Sequence, residues 1–171
     1  IFIEAIKLLY EKSDIPSFEA IVLGNEQGRN VYKKQLIDLV LKHRLNKVIK
    51  FIDHCKEMPV AYGISNLVCS CSSEPEAFGR IAVEAQSMQI PIIASDIGGS
   101  KETIIKDKTG YLYKNKDPID LANSIAAVMQ KKYDLLQSLG IEGRKNVLKR
   151  FDVDKMCQTT FTEYKKLIKL F

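Results

Sequence analysis

The chain has 171 residues, with 46% hydrophobic and 27% charged side chains, the balance of one soluble globular domain. This composition excludes a disordered tail, a collagen-like fibre and a simple coiled coil, and the longest apolar runs, such as Ile90–Ala94, fall far short of a membrane span. The net charge is +5; residues 1–113 carry 14 basic and 14 acidic groups, whereas residues 114–171 carry 12 basic and 7 acidic, so the whole excess is C-terminal. Such a tail reads as a solvated helix face, or as a contact for an anionic acceptor or lipid surface. Four of its bases cluster in Arg144–Arg150, a run with no aromatic interleaving of the kind that reads nucleic acid. Glu4 and Lys7 interrupt the apolar N-terminal stretch, so no signal peptide is expected and a cytoplasmic location is the default. The four cysteines (Cys55, Cys69, Cys71, Cys157) are too few and too irregular for a disulfide framework and read as reduced thiols.

Helix and strand signals alternate along the chain. Phe2, Ile6, Leu9 and Tyr10 repeat at helical spacing up to Ser13–Pro16. Phe18–Leu23 is a short apolar run ending at Gly24 and reads as a buried strand. Val31–Leu45 is helical, with Leu36, Val40, Ile37 and Leu41 expected on one side. Strands follow at 47–52, 66–70, 91–95 and 109–113, separated by helices at Glu57–Tyr62, Phe78–Met88 and Ser100–Ile105. Asp117–Pro118 puts an acceptor at the N-cap and proline at the first helical position, and Leu121, Ile125 and Val128 then face one way. Two more helices are expected, Tyr133–Arg150 and about Val153–Leu170, the latter with Cys157, Phe161, Tyr164 and Ile168 on its inner stripe.

Strands separated by helices make βαβ units, a parallel sheet and right-handed crossovers, here an α/β three-layer sandwich with a helical C-terminus. Ligands of such sheets sit at the carboxyl ends of the strands, which directs attention to Gly24–Arg29, Asp53–Met58, Cys71–Arg80 and Ser95–Lys101. The most informative of these runs from Ser72 to Glu84. Glu76 ends the loop after a strand, and Glu84 lies eight residues later on the following helix. The helix start offers free N–H groups around Gly79, Arg80 and Ile81, a natural phosphate site, and Gly79 has no side chain to hold a ligand away. A carboxylate on either side could accept sugar hydroxyls. Taken alone, Glu76 also reads as an ordinary acidic residue near a helix N-terminus, Glu84 as a partly exposed mid-helix glutamate, and Phe78 and Ile81 as core.

The segment Glu76-Ala-Phe-Gly-Arg-Ile-Ala-Val-Glu84-Ala85 resembles the Glu-x7-Glu motif of the glycosyl transferases group 1 family, retaining enzymes of the GT-B fold. In order follow Pro91-Ile-Ile-Ala-Ser95, Gly98-Gly-Ser-Lys-Glu102 and Thr109-Gly-Tyr-Leu112, and Met58-Pro-Val-Ala-Tyr62 resembles the family's segment before the next strand. The resemblance covers about residues 1–130. It implies a Rossmann-like half of a GT-B enzyme that binds a nucleotide diphosphate sugar, such as a UDP-, GDP- or ADP-sugar. It implies that Glu76 contacts hydroxyls of the transferred sugar near its anomeric carbon and is the catalytic carboxylate. Glu84 would bind ribose hydroxyls, backbone amides at Gly79, Arg80 and Ile81 would hold the distal phosphate or sugar, Phe78 would belong to the same substrate site, and the loop Asp53, His54, Cys55 would approach the base. Transfer would go with retention to a lipopolysaccharide, glycolipid or polysaccharide, with no cofactor and no metal. The family's domain begins with a strand, a Gly-Arg turn and a Lys-Gly pair that serve the donor diphosphate. This chain starts at the helix after them, which implies a fragment lacking its first strand and its acceptor domain. The family order places that strand between the strands at 18–23 and 66–70.

The chain departs from the family at Asp53, where glycine is usual, and at Gln89, where a helix-ending glycine is usual. Cys69-Ser-Cys71 with Cys55 and His54 matches no structural zinc spacing. Gly24-x-x-x-Gly28 is not followed by Gly-Lys-Ser/Thr, so a P-loop is rejected. His43 reads as a solvent-facing helix residue. Two other readings stand beside transfer: a nucleotide-sugar epimerase of the same fold, which would lack the Glu-Phe-Gly series, and a non-catalytic nucleotide-sugar-binding or scaffold domain of a glycosylation complex.

Overall fold

The computed structural model describes residues 1–26 and 28–168. Five strands alternate with helices: α1 (Phe2–Tyr10), β1 (Ala20–Leu23), α2 (Asn30–Lys42), β2 (Ile49–Ile52), α3 (Met58–Gly63), β3 (Val68–Ser70) and α4 (Arg80–Ser87). The order continues with β4 (Ile92–Ser95), α5 (Ser100–Thr103), β5 (Tyr111–Tyr113), α6 (Pro118–Met129), α7 (Tyr133–Arg150) and α8 (Val153–Ile168). Every pairing is parallel, as strands joined by helical crossovers require. The strands form two sheets, β1-β2 and β3-β4-β5. β1 and β3, the strands expected to flank a further central one, are not paired with each other.

β4 shows why the elements layer as they do. All four of its residues are buried. Because side chains alternate along a strand, Ile93 enters the core shared with α1 and α6, while Ile92 and Ala94 enter a second core with Ala82 and Ala85 of α4. A sheet covered on both faces is the α/β three-layer arrangement. The first core also takes Ala20 and Ile49, so it runs under both sheets and joins them. α6 starts as its sequence demands: Asp117 accepts from the Ile119 and Asp120 N–H groups at 3.0 and 3.1 Å, and Leu121, Ile125 and Val128 are all buried.

Two expected faces are corrected. In α2 the inward stripe is Leu36, Leu39 and Val40, while Ile37 and Leu41 are exposed; at 3.6 residues per turn, positions 37 and 41 lie about 100° round from 36 and 40. In α8 no residue is buried, and Cys157, Phe161, Tyr164 and Ile168 all face solvent. Spacing reveals an apolar stripe but not what covers it, and among the described residues nothing packs on this one. The end of that expected helix, residues 169–171, lies outside the described residues.

The departure at Gln89 has a clear geometry. Gln89 is left-handed (φ 61), and the turn closes with Gln89 N–H to Gln86 O and Ile90 N–H to Ala85 O, both 3.0 Å. This is a Schellman motif with glutamine where glycine is cheapest.

Candidate functional site

The loop from β3 to α4 carries Glu76, Phe78 and Gly79. It is held from behind by the turn after β4. The Gly99 N–H donates to the Glu76 carbonyl at 2.8 Å, and the Ser95 hydroxyl donates to the Ser72 carbonyl at 2.8 Å. The approach is too close for side chains: a Cβ on Gly98 would stand 2.7 Å from the Glu76 carbonyl oxygen, and one on Gly99 would stand 2.5 Å from the carbonyl of Phe78. Ser72 donates its hydroxyl to Glu76 Oε1, so the carboxylate is oriented within its own loop. Glu76 stays half-buried and reaches solvent.

Gly79 is the N-cap of α4 in a left-handed conformation (φ 77) that glycine adopts without strain. No side chain caps this helix, and none of the N–H groups of Gly79, Arg80 and Ile81 finds a hydrogen-bond acceptor among the described residues. Gly79 itself is buried, and donors left free at the positive end of a helix dipole are an arrangement that attracts an anion. Phe78 and Ile81 are exposed beside it, not core. The Phe78 ring packs edge-to-face on Phe151, with centroids 5.4 Å apart.

Glu84 lies one turn further along α4. Its Oε2 accepts from the Tyr62 hydroxyl at 2.8 Å, and its Oε1 accepts from Arg80 Nη2 and Nε at 2.9 and 3.2 Å. Burial, and then the bond to Glu84, pushes the Tyr62 phenol well above its ordinary range, so it remains a donor at neutral pH. Glu84, Tyr62, Ser87, Met88, Met58 and Pro59 line a groove of about 250 Å³. The opposite face of α4 is anchored by amides. The fully buried Gln86 donates to Ala82 O and Thr103 O, and Asn146 of α7 donates to Gln86 Oε1 and Thr103 O, all at 3.0–3.1 Å.

Asp53, His54 and Cys55 follow the carboxyl end of β2, in the other sheet. Asp53 and His54 are exposed, and Cys55 is half-buried. Lys33 of α2 bridges Asp53 and Glu26, 3.1 Å from each. The side chain at the unusual position 53 is therefore balanced by a lysine. The structure thus joins Glu76, Phe78, Gly79, Arg80, Ile81 and Glu84 on one loop and helix. It puts Asp53–Cys55 on the next sheet, linked to them in sequence through α3 and Tyr62. The supports Ser72, Tyr62 and Lys33 were not singled out from the sequence. Tyr62 had a signal, since it closes the segment Met58–Tyr62.

The family described as glycosyl transferases group 1 matches residues 1–146. The chain belongs to this family. Its fold is that of one Rossmann-like half of a GT-B enzyme: a glycosyltransferase from Rickettsia africae superposes with a TM-score of 0.91 at 27% identity, covering 98% of this chain and 44% of that one. The structure of Anabaena Alr3699/HepE in complex with UDP superposes with a TM-score of 0.85 at 25% identity, covering 96% of this chain and 44% of that one. The capsular polysaccharide biosynthesis glycosyltransferase CapM of Staphylococcus aureus is 23% identical over 98% of this chain and 42% of its own length. The chain thus spans less than half the length of each of these proteins. No helix among the described residues is long and apolar enough to cross a membrane.

Proposed function

We propose that this chain is the donor-binding part of a retaining glycosyltransferase that moves a sugar from a nucleotide diphosphate sugar. The observation that carries the reading is the N-terminus of α4, where the N–H groups of Gly79, Arg80 and Ile81, between Glu76 and Glu84 in sequence, have no acceptor among the described residues. When the bond between sugar and diphosphate breaks, negative charge grows on the phosphate oxygens. Fixed N–H donors and a helix dipole stabilise that charge without reorganising. Glu76, oriented by Ser72, accepts hydroxyls of the transferred sugar and holds its anomeric carbon in place. Glu84 accepts the ribose hydroxyls, and the loop Asp53–Cys55 approaches the base. The UDP complex of the Anabaena neighbour supports a nucleotide donor, and the capsular relative supports a polysaccharide or other cell-envelope acceptor.

The cationic side chains that neutralise the diphosphate and the groups that bind the acceptor are assigned to residues outside this chain, while the helix-start amides stay within it. Charge-assisted contacts to phosphate contribute about 1.5–3 kcal/mol each, so two missing ones weaken donor binding by roughly two to four powers of ten. The reading includes a peripheral membrane contact through the basic C-terminal helices, carried by those basic side chains that the fold does not use. Arg144 and Arg150 donate to the Ser87 and Glu102 carbonyls and so serve the fold, and Lys145 pairs with Glu142.

Calorimetry with UDP-, GDP- and ADP-sugars, beside a transfer assay, tests the reading. The chain alone should bind with a dissociation constant of about 1 mM or weaker and transfer nothing. In a protein containing both halves, Glu76→Gln should lower turnover and leave free-nucleotide affinity unchanged. Micromolar binding or turnover by this chain would overturn the assignment of the missing contacts. A full-length protein that binds the donor but transfers to no acceptor would show a non-catalytic binding domain instead.

A further inference from the structure

The two oxygens of Glu84 are held by partners of opposite character. Tyr62 is 5% exposed, sits on the short helix α3, and donates to Oε2 from a partly buried position. Arg80 holds Oε1 through a side chain that is 84% exposed. It forms an ordinary i,i+4 surface pair, of the kind that water and salt weaken easily. The first contact is rigid and the second is exchangeable. We propose that Tyr62 is a positioning residue: its hydroxyl locks the Glu84 carboxylate through Oε2 and leaves Oε1, held among the described residues only by the displaceable Arg80 side chain, as the acceptor for the ribose hydroxyls of the donor.

The inference rests on the reading of Glu84 as the ribose-binding carboxylate and adds how that carboxylate is prepared. A free glutamate side chain loses rotamer freedom when it binds a diol, and a carboxylate already fixed by a buried phenol does not. Arg80 keeps Oε1 satisfied while no ribose is present, and a diol offers donors in its place. The burial of Tyr62 keeps most water from the inner bond, which strengthens it.

The experiment titrates this chain, observed by amide NMR, with UDP, GDP and ADP and with the 2′,3′-dideoxy form of each, into the tens of millimolar. The readout is the ratio of dideoxy to ribose dissociation constants for the nucleotide that binds best. Glu84→Gln should bring this ratio close to one. Tyr62→Phe should lower it about three- to tenfold while leaving dideoxy binding unchanged, which also shows that the fold is intact. Arg80→Gln should raise it about two- to fivefold, because both nucleotides carry the same phosphates and any pull of Arg80 on them cancels. A Tyr62→Phe ratio equal to that of the unaltered chain would overturn the inference, and so would equal losses for both nucleotides, which mark a merely structural tyrosine. A fall in the Arg80→Gln ratio would overturn the exchange at Oε1. If Glu84→Gln keeps the ratio, or if no nucleotide binds, the ribose role of Glu84 itself fails.

Discussion

Gly99 donates its backbone N–H to the carbonyl of Glu76 at 2.8 Å. The loop carrying the catalytic candidate therefore hangs on the turn after β4, one crossover away in sequence, and not only on its own strand. Contact at this range admits no side chain on either glycine of the Gly98–Gly99 pair.

Gly99→Ala should accordingly displace the Glu76–Phe78 backbone. A Cβ 2.5 Å from the Phe78 carbonyl cannot be absorbed by rotamer change, because the opposing atoms are main chain. Overpacking of this kind costs about 1–3 kcal/mol, and urea unfolding should show it. In a protein containing both halves, a shift of the loop should also lower transfer about 100-fold. Wild-type turnover by the alanine variant would mean that the loop's position does not matter to the chemistry.

Gln89→Gly should stabilise the chain by about 1 kcal/mol, since a left-handed conformation is costly for a residue with a Cβ. The Schellman bonds at the end of α4 are main-chain bonds and survive the change. The Gln89 carbonyl, against which Gly140 of α7 packs too closely for any Cβ, is also kept. A higher midpoint in urea is the expected result; a lower one would show that the Gln89 side chain makes a contribution larger than its backbone strain.

The cysteines should separate by reactivity. Cys157 is exposed on α8, whereas burial pushes the Cys71 thiol up to about 11 and raises Cys69 as well. Thiolate is the reactive form, so alkylation near pH 8 should label Cys157 first and reach Cys69 and Cys71 only on unfolding. The same burial has a stability consequence. Above about pH 9 the unfolded thiol of Cys71 ionises while the folded one keeps its proton, so the contribution it makes to stability is lost as pH rises from about 9 to 11. Mass spectrometry of partly alkylated chain and urea melts across that window check both statements.

Much of the architecture was legible in one dimension. The five strands fall inside the runs 18–23, 47–52, 66–70, 91–95 and 109–113, and α7 spans Tyr133–Arg150 as its periodicity requires. Local signals suffice there because apolar period and cap chemistry act within a few residues: Asp117 and Pro118 start α6 wherever the rest of the chain goes. The Glu76-to-Glu84 segment was legible for the same reason, since a loop glycine and a helix start place their own N–H groups.

Partners across the fold were not legible. That Ile37, Leu41 and the α8 stripe face solvent depends on which neighbours each helix meets, and hydrophobic spacing is silent on this. Phe78 and Ile81 are exposed as well, although both side chains are of the kind that fills cores. Gly99 under Glu76, Tyr62 on Glu84 and Lys33 on Asp53 join residues 20 or more positions apart. The sequence by itself determined the elements and their parallel order, because these follow from short-range propensity and crossover geometry, and its resemblance to a family marked Glu76–Glu84 as the candidate site. Only the tertiary structure decided which distant groups hold the carboxylates and their loops, Tyr62 on Glu84, Lys33 on Asp53 and Gly99 under the Glu76 loop, because such bonds depend on distances that packing alone sets.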